Sequence, residues 1–226
     1  MPGARIKTQQ GVKGVPEEEK IPCEKMKEVL LHISNVIISN ADYLTDLDRA
    51  CGDGDFGVGM LRGFTNVRQQ VENYEGCDVG EMMMKSGFAI TATVGGAAGP
   101  VFGALFSSAG MKLKGKKEVG LAELAKAFRA ALDMIMKLGG AKPGDKTMVD
   151  ALAPAVEALE EASRAGSSLR EAFSNASEAA KRGAEATKEM VAKKGKASYL
   201  GEKTLGYPDP GAVAVALIFK AISEKL

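Results

Sequence analysis

Apolar residues recur at three- and four-residue steps over most of the chain, with polar residues between them. This spacing places the apolar side chains on one face of an α-helix. The period-two alternation that is typical of half-buried strands does not occur in the sequence. The pattern predicts about eight helices, which start near Met26, Met60, Val79, Pro100, Leu121, Met148, Ser168 and Asp209.

The connections between these segments carry further signals. Ser168 with Glu171 matches a capping box, and Asp209-Pro210 supplies an N-cap followed by a proline in the first turn. Pro154 lies inside the sixth apolar pattern and predicts a bend there. Short connections favour antiparallel neighbours. We therefore expect an all-α fold with a single domain, a barrel or bundle of about eight antiparallel helices.

The start of the chain differs from the rest. Residues 1–21 are polar and glycine-containing, include the run Glu17-Glu18-Glu19-Lys20, and end at Pro22. Such a composition cannot bury enough apolar surface to order a chain. The sequence predicts a flexible polar tail over residues 1–21 and a helical domain over residues 22–226.

Composition excludes several classes of function. Thirty Lys and Arg residues face 29 Asp and Glu residues, which gives no basic field for nucleic acid. No apolar run approaches the length of a membrane helix, and the first residues lack the apolar core of a signal peptide. Cys23, Cys51 and Cys77 are widely spaced and odd in number, which is typical of reduced thiols. We expect a cytoplasmic protein that contacts neither membrane nor nucleic acid.

The most informative stretch runs from Leu47 to Gly57 and combines carboxylates with glycines. Asp48, Asp53 and Asp55 fall within eight residues, and like charges at this density favour a bound cation. Magnesium is usually held by one or two carboxylates together with substrate phosphates. A solvated acidic turn is the alternative interpretation. An EF-hand is excluded because Val58 and Phe64 stand where its glycine and glutamate belong.

Three further loops are rich in glycine. They cover residues 93–100, 139–147 and 195–201, and the first leads directly into a helix N-terminus. Free N–H groups and the positive end of the helix dipole make that position receptive to phosphate. The second loop resembles a Walker A motif only superficially, since Asp145 separates Gly144 from Lys146. Together with the carboxylates, the loops predict a pocket for a magnesium-bound polyphosphate at one end of the bundle.

Several motifs occur in a diagnostic order. They are Gly52-Asp53-Gly54-Asp55, Gly95-Gly96-Ala97, Gly144-Asp145-Lys146-Thr147-Met148, Ala197-Ser198-Tyr199-Leu200-Gly201-Glu202 and Asp209-Pro210-Gly211-Ala212. Over residues 23–226 the chain resembles the nucleotide-binding L subunit of dihydroxyacetone kinases. That resemblance implies a barrel of eight antiparallel helices, with ADP or ATP held through two Mg²⁺ ions at one end. It assigns Asp48, Asp53 and Asp55 to the metal, and it assigns to the nucleotide Phe56, Gly57, Gly59, Ala97, Ala98, Gly139, Met148, Lys196, Asp209 and Gly211.

The resemblance also implies a reaction and partners. The family transfers a phosphoryl group to a small ketone such as dihydroxyacetone, which is held on a histidine of a separate K subunit. The L subunit positions the phosphoryl group and neutralises its charge, and no side chain of this chain is assigned as a catalytic acid or base. The phosphoryl donor is either free ATP or a protein of a phosphotransferase system that recharges bound ADP.

Four positions depart from the family pattern. Phe56 replaces a histidine, Gly59 an asparagine, Ala98 a serine and Lys196 an arginine. These changes leave open a second hypothesis, a non-catalytic paralogue that binds metal and nucleotide and acts as a regulatory or scaffold subunit. The complete set of carboxylates favours the kinase, because a protein that only binds has no need of a two-metal phosphoryl site.

Overall fold

The computed structural model describes residues 19–226. Within that range the chain forms nine α-helices and two short strands. Their bounds are β1 Lys20–Pro22, α1 Cys23–Ser39, α2 Ala41–Cys51, α3 Phe56–Glu72, α4 Val79–Thr93, α5 Ala98–Leu113, β2 Glu118–Gly120, α6 Leu121–Gly139, α7 Val149–Ala165, α8 Leu169–Ala186 and α9 Pro210–Lys225. Two 3₁₀ segments, Thr187–Glu189 and Lys196–Thr204, lie between α8 and α9.

Eight of these helices form a closed ring. Each helix from α3 to α9 packs against the next, and α1 closes the ring by packing against both α3 and α9. These are the eight helices that the apolar pattern predicts, and they bury their apolar faces in one continuous core. Phe128 of α6 and Phe219 of α9 meet across the interior with ring centroids 5.3 Å apart. The predicted all-α domain is therefore confirmed.

The prediction missed α2, which packs outside the ring against α3 and α9. Its buried face is small, consisting of Ala41, Leu44, Thr45 and Cys51. Half of the stretch that the sequence suggested to be an acidic loop is consequently helical, and Asp48 lies in the last turn of α2.

The strands were also missed. Three residues of β1 pair antiparallel with three residues of β2, with Ile21 opposite Val119. The pairing continues where the Cys23 N–H donates to the Lys117 carbonyl at 2.8 Å. Lys20 and Ile21 thus belong to the folded domain, whereas residues 1–18 of the predicted tail lie outside the described residues.

Helix ends follow the predicted capping chemistry. The Ser168 hydroxyl accepts from the Glu171 N–H at 3.2 Å, and the Asp209 carboxylate accepts from the Ala212 N–H at 2.7 Å. Pro154 lies within α7. His32, for which the sequence showed no partner, lies 2.9 Å from the Glu224 carboxylate. In the described part of the chain, no helix combines the length and apolar character needed to cross a membrane.

The ring alternates direction, and this alternation defines its two ends. One end collects the start of α3, the end of α4, the start of α5, the end of α6 and the starts of α7 and α9, all of which border a single cavity. The strand pair and the start of α1 lie at the other end. The antiparallel arrangement therefore brings loops that are distant in sequence together at the cavity.

Candidate functional site

The three predicted metal ligands lie close together. One carboxylate oxygen each from Asp48, Asp53 and Asp55 lies within 4.8 Å of the other two. Asp48 comes from the end of α2 and the other two from the connection to α3, where Gly54 adopts a φ of +74°. A Cβ on Gly52 would lie 2.2 Å from Oδ1 of Asp48, so glycine is needed for this close approach. The oxygen donors, their spacing and their exposure fit a hard divalent cation.

Backbone contacts fix one of these ligands. Asp48 Oδ2 accepts from the Phe56 N–H at 3.1 Å, which joins the end of α2 to the start of α3. Asp48 is half-buried, whereas the side chains of Asp53 and Asp55 are 50% and 68% exposed. The cluster therefore has one anchored carboxylate and two that face solvent.

A lysine from a distant segment completes this corner. The Lys196 ammonium donates to Asp53 and also lies 3.3 Å from Asp55 Oδ2. The hydrogen bond from Lys196 lowers the pKa of Asp53, and the same pair raises the pKa of Lys196. All three side chains are exposed, so the pair contributes little to fold stability. Its effect is to bring the 3₁₀ segment Lys196–Thr204 against the cluster of Asp48, Asp53 and Asp55.

The loop before α5 offers backbone donors. Within residues 19–226, no side chain caps the start of α5, where Ala97 is the N-cap residue. Gly96 has a φ of +63°, and a Cβ on Gly95 or Gly96 would meet only open space. The start of α5 thus borders the cavity and lacks a side-chain cap, as a phosphate-binding helix start requires.

The remainder of the cavity is mostly apolar. It encloses about 340 Å³, a size that is typical of small-ligand sites. Phe56 lines it and packs against Phe102 with ring centroids 5.8 Å apart. Val101, Ile135 and Met148 contribute further apolar surface. The cavity thus joins a charged corner to an apolar recess, as a nucleotide needs for its phosphates and its base.

The loop that joins α6 to α7 is organised by buried charges, one of which, Asp150, lies in the first turn of α7. Asp150 is 6% exposed and accepts from the N–H groups of Gly144 at 2.5 Å and Thr147 at 2.8 Å. Asp145, 3% exposed, accepts from the Lys142 N–H at 3.1 Å. Each carboxylate closes a tight turn, so the two hold the loop in shape.

Lys146 lies between these aspartates and is 3% exposed. Its ammonium donates to four carbonyl oxygens at 2.6 to 3.0 Å, those of Thr187, Met190, Thr204 and Tyr207. Burial lowers the pKa of Lys146. An ammonium has three N–H donors, and these contacts use all of them. Lys146 therefore holds the segment that carries Lys196, and it does not play the part of a Walker A lysine.

The start of α9 forms another wall of the cavity. Desolvation raises the pKa of the Asp209 carboxyl to about 7, although this carboxyl caps α9. A Cβ on Gly211 would lie 3.5 Å from the Cβ of Met148. The start of α9 therefore lies beside the start of α7, within van der Waals reach of Met148.

The structure brings nearly all the predicted site residues to this cavity. Its lining includes Asp48, Asp53, Asp55, Phe56, Gly59, Ala97, Ala98, Gly139, Met148, Lys196, Asp209 and Gly211. Gly57 lies behind it, where a Cβ would be 2.1 Å from the Ala41 carbonyl oxygen of α2. Sequence reasoning gave no role to Lys146 or Asp150, although the motif Gly144-Asp145-Lys146-Thr147-Met148 contains the lysine.

Comparisons with known proteins agree with this geometry. The family model described as DAK2 domain matches residues 50–224. Over 194 residues the chain is 37% identical to the PEP-dependent dihydroxyacetone kinase, ADP-binding subunit DhaL, of Escherichia coli, with 86% of this chain and 92% of that one covered. The chain belongs to the DhaL family of DAK2 domains.

A second DhaL relative and a solved structure extend the comparison. The ADP-binding subunit DhaL of the PEP-dependent dihydroxyacetone kinase 2 of Listeria innocua is 36% identical over 200 residues, which cover 88% of this chain and 92% of that subunit. The crystal structure of the dihydroxyacetone kinase of C. freundii superposes with a TM-score of 0.71 at 25% identity. The match covers 100% of this chain and 39% of the C. freundii kinase, so this chain spans about two fifths of that kinase.

Proposed function

We propose that this chain is the nucleotide-binding subunit of a dihydroxyacetone-type kinase. The proposal rests on one observation. Three carboxylates, an uncapped helix start and an apolar recess all surround the same cavity. The DhaL relatives, whose printed names describe ADP-binding subunits of dihydroxyacetone kinases, support the same assignment.

Each part of the cavity has a role in this proposal. Asp48, Asp53 and Asp55 would hold Mg²⁺, as two ions, which would supply positive charge to neutralise the phosphates. The N–H groups at the start of α5 bind a phosphate, and Lys196 supplies a positive charge beside it. The recess around Phe56 and Met148 takes the base. The chain positions the phosphoryl group in line with an acceptor, and none of its side chains acts as an acid or base.

The acceptor in this proposal is a small ketone such as dihydroxyacetone, held on a separate K subunit. A phosphotransferase-system protein recharges the bound ADP, a role that the PEP-dependent names of the relatives support. In this proposal both partners approach the exposed carboxylates at the cavity mouth in turn, because the transferred group must enter and leave there.

A reconstitution assay tests the proposal. The purified chain is incubated with Mg²⁺, ADP and dihydroxyacetone, either with ATP or with PEP and phosphotransferase-system proteins, with and without a K-type subunit, and ketone phosphate is measured. We expect product only when both chains are present, since this chain has no group that anchors a ketone. Robust turnover by the isolated chain would refute the division of labour. Failure with several K-type subunits, despite tight ADP binding, would instead favour the non-catalytic paralogue.

A further inference from the structure

Two of the three cysteines lie together at the end of the ring opposite the nucleotide cavity. Cys23 is the first residue of α1, and Cys77 belongs to the connection between α3 and α4. Their sulfur atoms and a Glu24 carboxylate oxygen all lie within 4.8 Å of one another. Cys23 is buried and Cys77 is exposed. The third cysteine, Cys51, is buried beside the nucleotide cavity.

Both segments are held in place independently of the thiols. Lys27 of α1 donates to the carbonyls of Glu72 and Tyr74, both at 3.1 Å, which fixes the start of the connection against α1. Asp78 fixes its end by accepting from the N–H groups of Glu81 at 3.0 Å and Gly115 at 2.8 Å. The connection that presents Cys77 is therefore ordered on both sides, so the approach of the sulfurs is built into the fold.

The part of the connection between Tyr74 and Asp78, which contains Cys77, is equally constrained. A Cβ on Gly76 would lie 2.6 Å from the Tyr74 ring, so the loop packs directly over that ring. The Tyr74 hydroxyl in turn donates to Glu81 at 2.9 Å. The Cys23 thiol lies 3.8 Å from the Gly76 carbonyl and the Cys77 thiol 3.6 Å from Glu24. The thiols thus make only weak hydrogen bonds. These contacts offer little resistance to the formation of a bond between the two sulfurs.

We propose that Cys23 and Cys77 are a redox-active pair that forms a reversible disulfide by exchange with a small-molecule disulfide. Exposed Cys77 attacks first as the thiolate, forms a mixed disulfide and releases one small thiol. Cys23 then loses its proton to solvent and attacks the Cys77 sulfur, which releases the second small thiol. Two protein thiols are oxidised, and one small disulfide is reduced to two thiols.

The environment of Cys23 supports this order of steps. Burial, followed by the neighbouring Cys77, raises the pKa of Cys23 to about 12, so this thiol is a poor first nucleophile. Once Cys77 is in a mixed disulfide it carries no charge, and its contribution to that pKa is removed. The proximity of the two sulfurs then favours the second step.

The bond would join segments that are 54 positions apart in sequence. Closing a loop of that length stabilises mainly by restricting the unfolded chain. We expect Tm to rise by about 5–10 °C on oxidation. ADP binding should not change, because the pair lies at the other end of the ring.

The test uses the full chain, equilibrated with oxidised glutathione. We expect titratable thiols in denaturant to fall from three to one, a mass loss of two hydrogens, and a peptide that links Cys23 to Cys77. Cys51→Ser should form the same bond. Cys23→Ser, or Cys23→Ala if the serine variant folds poorly, should stop with glutathione on Cys77. Cys77→Ser should leave Cys23 unmodified.

Three results would overturn the proposal. The first is wild-type protein that keeps three thiols, and the second is a stable glutathione adduct on wild-type Cys77. The third is stoichiometric zinc that copurifies with wild type and is lost in both Cys23→Ser and Cys77→Ser, which would make the cluster a soft-metal site. None of these measurements uses nucleotide, so their outcome does not depend on the kinase assignment.

Discussion

Two neighbouring regions of the cavity each carry charged side chains and use them differently. In the carboxylate cluster the side chains of Asp53, Asp55 and the neighbouring Lys196 are 50%, 68% and 59% exposed. In the segment that joins α6 to α7, together with the first turn of α7, Asp145, Lys146 and Asp150 are 3%, 3% and 6% exposed. The buried charges are satisfied by backbone N–H and carbonyl groups, whereas the exposed ones face each other across the cavity mouth.

The difference separates charges that build the site from charges that bind its ligand. A buried ion is tolerated only when its hydrogen bonds are complete, so removing it unfolds the surrounding loop. An exposed cluster of carboxylates contributes little to stability and can be neutralised by a cation. Substitutions of the buried charges Asp145, Lys146 and Asp150 should therefore change folding, and substitutions of the exposed charges Asp53, Asp55 and Lys196 should change binding.

The largest expected effect is on stability, at Lys146. Lys146→Met keeps the length of the side chain but leaves four carbonyls, two of them buried, without their donor. We expect the free energy of unfolding to fall by about 3 kcal/mol or more, measured from the urea midpoint at unchanged slope. Lys193→Met is the matched control, because Lys193 is exposed and contacts the same loop. Equal midpoints for the two variants would contradict a structural role for Lys146.

A smaller effect is expected on binding, at the start of α5. Ala98→Ser adds a hydroxyl beside the uncapped N–H groups where we place a phosphate. A hydrogen bond to a charged group contributes about 1.5–3 kcal/mol, so ADP–Mg²⁺ affinity should rise about tenfold or more by calorimetry. Ala122→Ser, in the first turn of α6 at the other end of the ring, is the control. No gain in Ala98→Ser would mean that no phosphate lies there.

The smallest effect concerns pH and Asp209. The Asp209 carboxyl has a pKa of about 7 in the folded protein against 3.8 for the free group. Between pH 3.8 and pH 7 the folded state therefore keeps a proton that the unfolded state has lost. Stability should therefore fall as pH rises from about 4 to 7 and level off above.

Asp209→Asn keeps an N-capping side chain but cannot ionise. In metal-free buffer, wild type should lose about 1 kcal/mol relative to this variant between pH 6 and pH 8, by urea unfolding. Parallel pH profiles for the two proteins would show that desolvation does not shift this group.

The local periodicity of apolar residues was enough to predict the eight helices of the ring. It did not predict α2 or the strand pair. The helix α2 was missed because its buried face has only four residues and Asp48 interrupts it. The strand pair has three residues on each side and joins segments 98 positions apart, so neither strand shows a local pattern.

In the candidate site, too, some residues could be predicted from the sequence and others could not. Asp48, Asp53 and Asp55 could be recognised because they are close in sequence, where glycines allow a tight turn. The contact of Lys196 with Asp53 spans 143 positions, and only the closed ring brings the two together. Burial of Lys146 runs against the usual exposure of lysine, so no sequence rule predicts it.

The central claim is that the exposed carboxylates bind the metal of a magnesium–nucleotide complex. Calorimetric titration of ADP into wild type and Asp53→Asn, with and without Mg²⁺, tests it most directly. We predict magnesium-dependent binding in wild type and an affinity at least about tenfold weaker in Asp53→Asn. Both proteins should unfold at the same urea concentration within error, because Asp53 is exposed. Unchanged affinity in Asp53→Asn, or equal binding without Mg²⁺, would contradict the account.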